Sequence, residues 1–434
     1  MTISNGFYMY PSVRDYAKTQ YLVAKDNYIC YMRTKMFINI ISEGVGKMIS
    51  KIYQFKVPQL IIWGAGSAKE VGTLAKGWGR KAMLVTDHNL EKLGLLDEIK
   101  NSLEMAQISW ATYNQVTSEP TDLHVDQGVK IFRESGADFL IALGGGSPID
   151  AAKAIAILFS NGGKISDYMG ANKIPKPGPP LVAIPTTAGT GSEVTQFTII
   201  TDTSRDVKML IASPYLIPRL ALLDPLLTRQ MPPQITAATG IDALTHAIEA
   251  YVSIKAQPLS DTLALDAIRL ISGNLRQAWA NGDNLEARSN MMVGALEAGM
   301  AFSNSSVALV HGMARPIGAY FHIPHGLSNA VLLPTVMEFS IPGNPQRYAD
   351  IAKAMGEITE GLSTLDAAYL AAKALKRLNG DLKIPSLREL GVDEKKFNAV
   401  VTQMAADALA SGSPGNNPRK ATQEEIVELY KKVF

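Results

Sequence analysis

Cysteine is almost absent: Cys30 is the single one in 434 residues. An intramolecular disulfide is excluded, and a reducing cytoplasm is the expected setting. Long apolar runs are missing as well. Stretches such as "DFLIALGGG" and "AAKAIAILFS" stop well short of the roughly 20 residues that cross a bilayer, so no membrane association is expected. The opening residues do not follow a signal peptide's order of basic, apolar and small-residue regions. Charge of one sign is scarce: 42 Lys and Arg against 40 Asp and Glu leave a formal +2. That balance gives no electrostatic reason to invoke nucleic acid. A complete dinucleotide fingerprint is lacking too. "WGAGSAKEVG" supplies Gly64 and Gly66, but Lys69 stands where the third glycine belongs, and the stretch reads as a turn.

What is present divides into three parts, in keeping with a length beyond one ordinary hydrophobic core. Residues 1–50 are rich in Tyr and Met and have no clear period. They read as an extension, a tail or an oligomer contact, with Met36 and Met48 as alternative starts. Residues 51–232 alternate short apolar runs with helical stretches. "KAMLVTD", "ADFLIALGGGS" and "PPLVAIPTTAGTGSE" are the runs; "DQGVKIFRESG" and "PIDAAKAIAILFSN" are the helices. That alternation predicts a mostly parallel sheet covered on both faces, with ligands beyond the carboxyl ends of its strands. After the paired prolines Pro232 and Pro233, residues 233–434 read as helix after helix, rich in Ala, Leu and Met. The expectation is an N-terminal Rossmann-like α/β domain, a C-terminal helical domain and a site in the cleft between them.

The strand-end loops carry the first chemistry. "GGGSPIDAAK" follows a strand and opens a helix. Gly144, Gly145 and Gly146 let a ligand approach the backbone, the helix start offers free N–H groups to an anion, and Ser147 adds a hydroxyl. In "PTTAGTGSEVT", Thr186, Thr187, Thr190, Ser192 and Thr195 crowd hydroxyls around two glycines. Asp87, at the end of "AMLVTD", has two readings. It can accept hydrogen bonds from an adenosine ribose and repel a 2′-phosphate, or it can cap the helix that follows.

Six histidines are present, and four of them, His246, His311, His322 and His325, fall in the helical half. "DALTHAIEAY" places Asp242 and His246 four residues apart, on one face of a good helix former. "HGMARPIGAYFHIPHG" brings three imidazoles among glycines and apolar residues. Together they suffice to hold a divalent transition metal and leave a position open.

With "GGGSPIDAAK", "PTTAGTGSE", "GIDALTHAIEAY" and "HGMARPIGAYFHIPHG" in this order, the chain from about residue 50 onward resembles the iron-containing (group III) alcohol dehydrogenases, of dehydroquinate synthase-like fold. The resemblance implies Asp242, His246, His311 and His325 as metal ligands and leaves His322 at the cleft or the surface. It implies Asp87 as the residue that favours NAD and Gly144, Gly145, Gly146 and Ser147 as the pyrophosphate loop. Thr186, Thr187, Thr190 and Thr195 would line the phosphates and nicotinamide half, and Lys208 would reach the cofactor. Asp150 and Lys153 are expected to be structural. Fe²⁺ is the implied metal, with Zn²⁺, Co²⁺ and Mn²⁺ as chemically suitable alternatives. The implied activity is NAD-linked oxidation of a small primary alcohol or diol, or reduction of its aldehyde, by a homodimer or larger homo-oligomer. Glycerol oxidation, a dehydroquinate synthase-like reaction and a non-catalytic nucleotide-binding subunit are the competing readings. One departure stands out. Relatives often read "HGMAH", whereas here Arg315 stands four residues after His311. An arginine is no proton relay near neutral pH. It either contacts an anionic substrate or pairs and packs at the cleft.

Overall fold

The structure, a computed structural model, describes residues 52–117 and 119–434. The expected extension over residues 1–50 lies outside the described residues. Phe55–Phe434 form one compact unit.

Nine strands occur among the described residues: β1 (Leu60–Trp63), β2 (Lys81–Val85), β3 (Ser109–Tyr113), β4 (Phe139–Gly144), β5 (Gly170–Ala171), β6 (Leu181–Pro185), β7 (Phe197–Asp202), β8 (Val207–Ala212) and β9 (Leu220–Leu223). Six of them make a sheet in the order β1-β9-β6-β4-β2-β3, with every neighbouring pair parallel. The inner strands are apolar throughout because both faces are covered: FLIALG of β4, LVAIP of β6 and LALL of β9 are buried along their whole length.

Five helices accompany the sheet: α1 (Val71–Ala75), α2 (His88–Lys92), α3 (Asp97–Met105), α4 (Asp122–Ser135) and α5 (Gly146–Asn161). Chain order reverses beside β2, where the chain first moves out to β3 and then returns to β4 on the other side. Such a switch opens a crevice beyond the carboxyl ends of the two strands. Asp87 and the Gly144–Ser147 loop stand at those ends.

One element was not legible in the sequence. β7 and β8 form an antiparallel hairpin, and β5 pairs in parallel with β8, giving a separate three-stranded sheet. Its turn is tied by Asp202, which accepts from Ser204 N and Oγ and from Arg205 Nε. "WGAGSAKEVG" is indeed a turn: Asp224 accepts from Gly66 N and Ala68 N, both at 3.1 Å.

Beyond β9 the described chain is helical: α6 (Pro233–Val252), α7 (Pro258–Ala280), α8 (Leu285–Ser305), α9 (Leu309–Phe321), α10 (His325–Ser340), α11 (Pro345–Ala354), α12 (Thr364–Asp381), α13 (Glu394–Ala410) and α14 (Gln423–Val433). Pro233 sits in the first turn of α6, where its missing N–H costs nothing. From Gly240 to Val252 every residue of α6 is buried, so α6 is the central rod of the helical half, with α7, α8 and α10 packed around it. Among the described residues no single helix is long and apolar enough to cross a membrane.

Candidate metal centre and cofactor loops

A helix buried all round normally excludes charge, because an unpaired buried ion is costly. Yet α6 carries Asp242, His246 and Glu249, at intervals of four and three residues along one face. Each is more than nine-tenths buried. Two further helices bring partners to that stripe. His311 lies in the first turn of α9 and His325 is the first residue of α10. Each of these histidines is followed by a glycine for a steric reason. A Cβ at Gly326 would lie 2.4 Å from Ala238 O, and one at Gly312 would lie 2.6 Å from Pro414 Cγ. Only glycine lets α10 close on α6 and α9 close on the segment after α13.

Donor atoms of Asp242, His311 and His325 lie within 4.8 Å of one another. His311 Nε2 is 3.6 Å and His325 Nε2 is 3.8 Å from Asp242 Oδ1. The Asn329 amide nitrogen sits among them, 2.6 Å from Asp242 Oδ1. His246 flanks this set rather than completing it. Its ring stacks on His311 at 4.4 Å and on Phe302 at 4.2 Å, and its Nδ1 is buried without a hydrogen-bond partner. Of the four histidines in the helical half, His246 and His311 are buried, His325 is partly open to solvent, and His322 is exposed at the C-cap of α9 in a left-handed conformation.

Electrostatics sharpen the set. Burial works against ionisation of Asp242, but the imidazoles of His246, His325 and His311 hold its carboxyl well below the usual range. Burial pushes His246 down to about 4. Burial also opposes charge on His311, yet Glu249 and Asp242 together raise it to about 9. Burial lowers His325, with His311, His246 and Arg315 acting in the same direction and the Asp242 carboxylate opposing them. About 41% of that side chain is open to solvent.

Glu249 is the residue that sequence reasoning missed. Its Oε2 accepts from His311 Nδ1 at 2.6 Å, and its Oε1 accepts from Val310 N at 2.6 Å. A carboxylate can only accept, so Nδ1 carries a proton, and Nε2, on the Asp242 side, is the nitrogen left for a cation once the ring is neutral. This is the arrangement by which a carboxylate orients a ligating histidine and raises its basicity. The signal was present: Glu249 lies seven residues after Asp242, on the same helical stripe. A divalent cation fits this set. Its donors are one carboxylate and two imidazole nitrogens, and the orphaned Nδ1 of His246 is buried beside them.

The same architecture is found in known proteins. A model described as "Iron-containing alcohol dehydrogenase" matches residues 58–225, and one described as "Fe-containing alcohol dehydrogenase family, C-terminal" matches residues 236–434. A 1,3-propanediol dehydrogenase of Citrobacter freundii is 44% identical over 391 residues, covering 89% of this chain and all of the relative. An NAD-dependent methanol dehydrogenase of Bacillus methanolicus is 41% identical, covering 87% of this chain and 98% of its own. The crystal structure of a 1,3-propanediol oxidoreductase superposes with a TM-score of 0.86 at 43% identity, over 88% of this chain and 100% of its own.

The chain belongs to the iron-containing alcohol dehydrogenase family. It is thus an oxidoreductase acting on alcohols and aldehydes.

The loops expected to meet a dinucleotide in this family converge beyond β4 and β6. Gly145 is the N-cap of α5 and makes no side-chain cap bond, so the first N–H groups of a sixteen-residue helix face the crevice. A Cβ at Gly146 would meet Thr190 at 3.0 Å, and one at Gly145 would meet Thr187 at 3.5 Å. The two loops therefore leave a narrow cradle that side chains would fill, which suits a phosphate on the backbone. Other expected contacts are already engaged. Asp87 Oδ1 caps α2 by accepting from Asn89 N at 2.8 Å and Leu90 N at 3.0 Å. Thr195 is buried, and its hydroxyl accepts from Lys153. Lys208 pairs with Glu119 at 2.6 Å. Its Nζ stands 3.8 Å from where a Cβ on Gly318 of α9 would be, so it overhangs the helical half.

Asp150 and Lys153 form an internal brace. Lys153 Nζ donates to Thr195 O, Thr195 Oγ1 and Phe197 O, which uses its three protons. Asp150 accepts from Ser192 Oγ and Ile199 N. Burial pulls Lys153 down to about 8, opposed by Asp150 and Glu193. The brace ties α5 to the Thr-rich loop and to β7, and so holds the cradle in shape.

Proposed function

We propose that this enzyme is a metal-dependent, NAD-linked dehydrogenase of a small primary alcohol or diol that also reduces the matching aldehyde. The observation that carries this reading is the convergence of Asp242, His311 and His325 within 4.8 Å, beside the orphaned imidazole of His246. In this reading residues 51–232 carry the nucleotide and residues 233–434 carry the metal. Asp242, His246, His311 and His325 hold the cation, with Fe²⁺ the family's metal. A bound cation supplies a Lewis acid that polarises the alcohol or aldehyde oxygen, and the dinucleotide supplies the hydride carrier. Glu249 keeps the His311 proton on Nδ1. The α5 N-terminus with Gly144, Gly145, Gly146 and Ser147 takes the pyrophosphate, and Thr186, Thr187 and Thr190 wall the cradle. Phe302 stacks on His246 and holds its ring against the set. An assay of NADH formation with a panel of alcohols, run beside a metal analysis, tests the reading. A chain that binds metal and NAD but yields no NADH would support a dehydroquinate synthase-like or non-catalytic role instead.

Cofactor choice rests on Asp87. A carboxylate there disfavours a 2′-phosphate by like-charge repulsion. NAD is expected to exceed NADP in kcat/KM, and Asp87→Gly is expected to narrow or reverse the gap by roughly tenfold or more. Glycine is a serviceable N-cap, costing only about a few tenths of a kcal/mol, so loss of the cap of α2 does not confound the comparison. Equal use of both cofactors by the native enzyme would leave Asp87 as a cap alone.

Arg315 favours a second reading of the substrate. It follows His311 by one turn of α9 and donates from Nη1 to Ser413 Oγ at 3.1 Å. Among the described residues it makes no ion pair within 4.0 Å, although its charge is felt at His325. A guanidinium so placed suits the anionic end of an acidic aldehyde or alcohol. Arg315→Ala is then expected to cost an anionic aldehyde about 2 kcal/mol, roughly 30-fold in kcat/KM, and to spare a neutral one of equal size. Equal losses for both would assign Arg315 to packing.

A further inference from the structure

Asn329 is fully buried on α10, four residues and one turn after His325. Its neighbours along the helix, Ala330, Leu332 and Leu333, are apolar and buried, so packing alone calls for an aliphatic side chain at this depth. Instead the amide nitrogen donates to Asp242 Oδ1 at 2.6 Å and lies 3.2 Å from His311 Nε2 and 3.3 Å from His325 Nε2. An amide has two hydrogens to offer. Two hydrogens cannot satisfy three close neighbours, whichever tautomers the rings hold, so the three groups crowd onto one point more closely than an amide requires. The other end of the side chain is left worse off, since Asn329 Oδ1 is buried without a partner. A buried carbonyl with nothing to accept from opposes stability. A side chain that is poor for folding, yet aimed into the donor set, belongs to the chemistry of that set.

We infer that Asn329 is a positioning residue of the metal centre: its amide donates to the Asp242 carboxylate and sets it toward the two imidazoles. This rests on the ligand assignment proposed above. α10 then contributes twice, His325 as ligand and Asn329 as the group that orients Asp242 across the gap to α6. One rigid helix fixes both distances, and the Gly326 close approach holds that helix in place. The consequence is selective. Loss of the amide frees Asp242 to turn, which weakens cation binding while leaving the helix packing in place.

The test uses the full chain stripped of metal and titrated with Co²⁺ alone. Affinity is read by chelator competition and by the visible absorption of the bound ion, and melting is followed with and without Co²⁺. Asn329→Ala is expected to melt close to the native protein without Co²⁺ and to bind Co²⁺ about 10–100-fold more weakly, with an altered absorption band. Asn329→Asp, of equal size, is expected to melt lower than native without Co²⁺, because a second carboxylate then faces Asp242. Co²⁺ should raise its melting temperature by more than it raises the native one. A purely structural asparagine predicts the opposite pattern: native Co²⁺ affinity and spectrum in the alanine variant, and the same melting deficit in the aspartate variant with and without Co²⁺. That pattern would overturn the inference. His311→Ala separates the two layers. If it binds Co²⁺ as the native protein does, the ligand assignment fails and the role of Asn329 falls with it.

Discussion

Replacing His311 with alanine is expected to abolish stoichiometric metal and to lower kcat/KM by at least about 10³-fold, with the fold retained. The size follows from two considerations. Lewis-acid polarisation of a reacting oxygen contributes several kcal/mol, and each 1.36 kcal/mol is tenfold in rate. His311 is the hub of the donor set, facing Asp242 through Nε2 at 3.6 Å and Glu249 through Nδ1 at 2.6 Å. Its loss removes a donor and also leaves Glu249 without its imidazole partner. His322→Ala is the matched control: the residue is exposed at the end of α9, and metal content and turnover should stay native. Elemental analysis of both purified variants, with NADH formation from a short-chain diol, checks the pair. Full metal and turnover in the His311 variant would remove this residue from the centre.

Glu249 carries the second large effect. Glu249→Ala deletes the acceptor for Val310 N, His311 N and His311 Nδ1. Buried donors left without a partner cost about 1–3 kcal/mol each, so a loss of roughly 3 kcal/mol or more is expected in chemical denaturation. Glu249→Gln keeps the volume but presents an NH₂ to at least one of these donors. It should weaken metal binding about 10–100-fold by releasing the ring orientation of His311. A stable variant that has lost metal, next to an unstable one that has also lost it, would show that Glu249 acts through His311. Native metal affinity in Glu249→Gln would show that the orientation is set elsewhere.

How much of this was legible beforehand depended on burial and on turns. The parallel strands could be read because both of their faces are buried, so "LVAIP" and "FLIALG" are unbroken apolar runs that end at glycine- and threonine-rich loops. The β7–β8 hairpin could not, because its strands are half-exposed: Ile199 is exposed between buried Thr198 and Ile200, and β8 opens on exposed Val207 and Lys208. α9 and α10 were hidden by proline. Pro316 and Pro334 sit inside helices that tertiary packing sustains. Asp242 and His246 were visible as candidate ligands, whereas Glu249 and Asn329 were overlooked. Both lie at helical intervals from a proposed ligand, at i+7 from Asp242 and i+4 from His325. The sequence offers that spacing, but burial alone distinguishes a polar residue aimed at the centre from one at the surface. Asp87 shows the converse. Its two readings compete for one carboxylate, and the cap of α2 occupies Oδ1.

The central claim is that turnover depends on a cation held by Asp242, His246, His311 and His325. The most direct measurement strips the enzyme with a chelator and restores Fe²⁺ stepwise without oxygen, following NADH formation from a short diol against metal content. The account predicts activity that rises in proportion to bound metal and saturates near one ion per chain. Full NADH formation by enzyme retaining less than about a tenth of an ion per chain would contradict it.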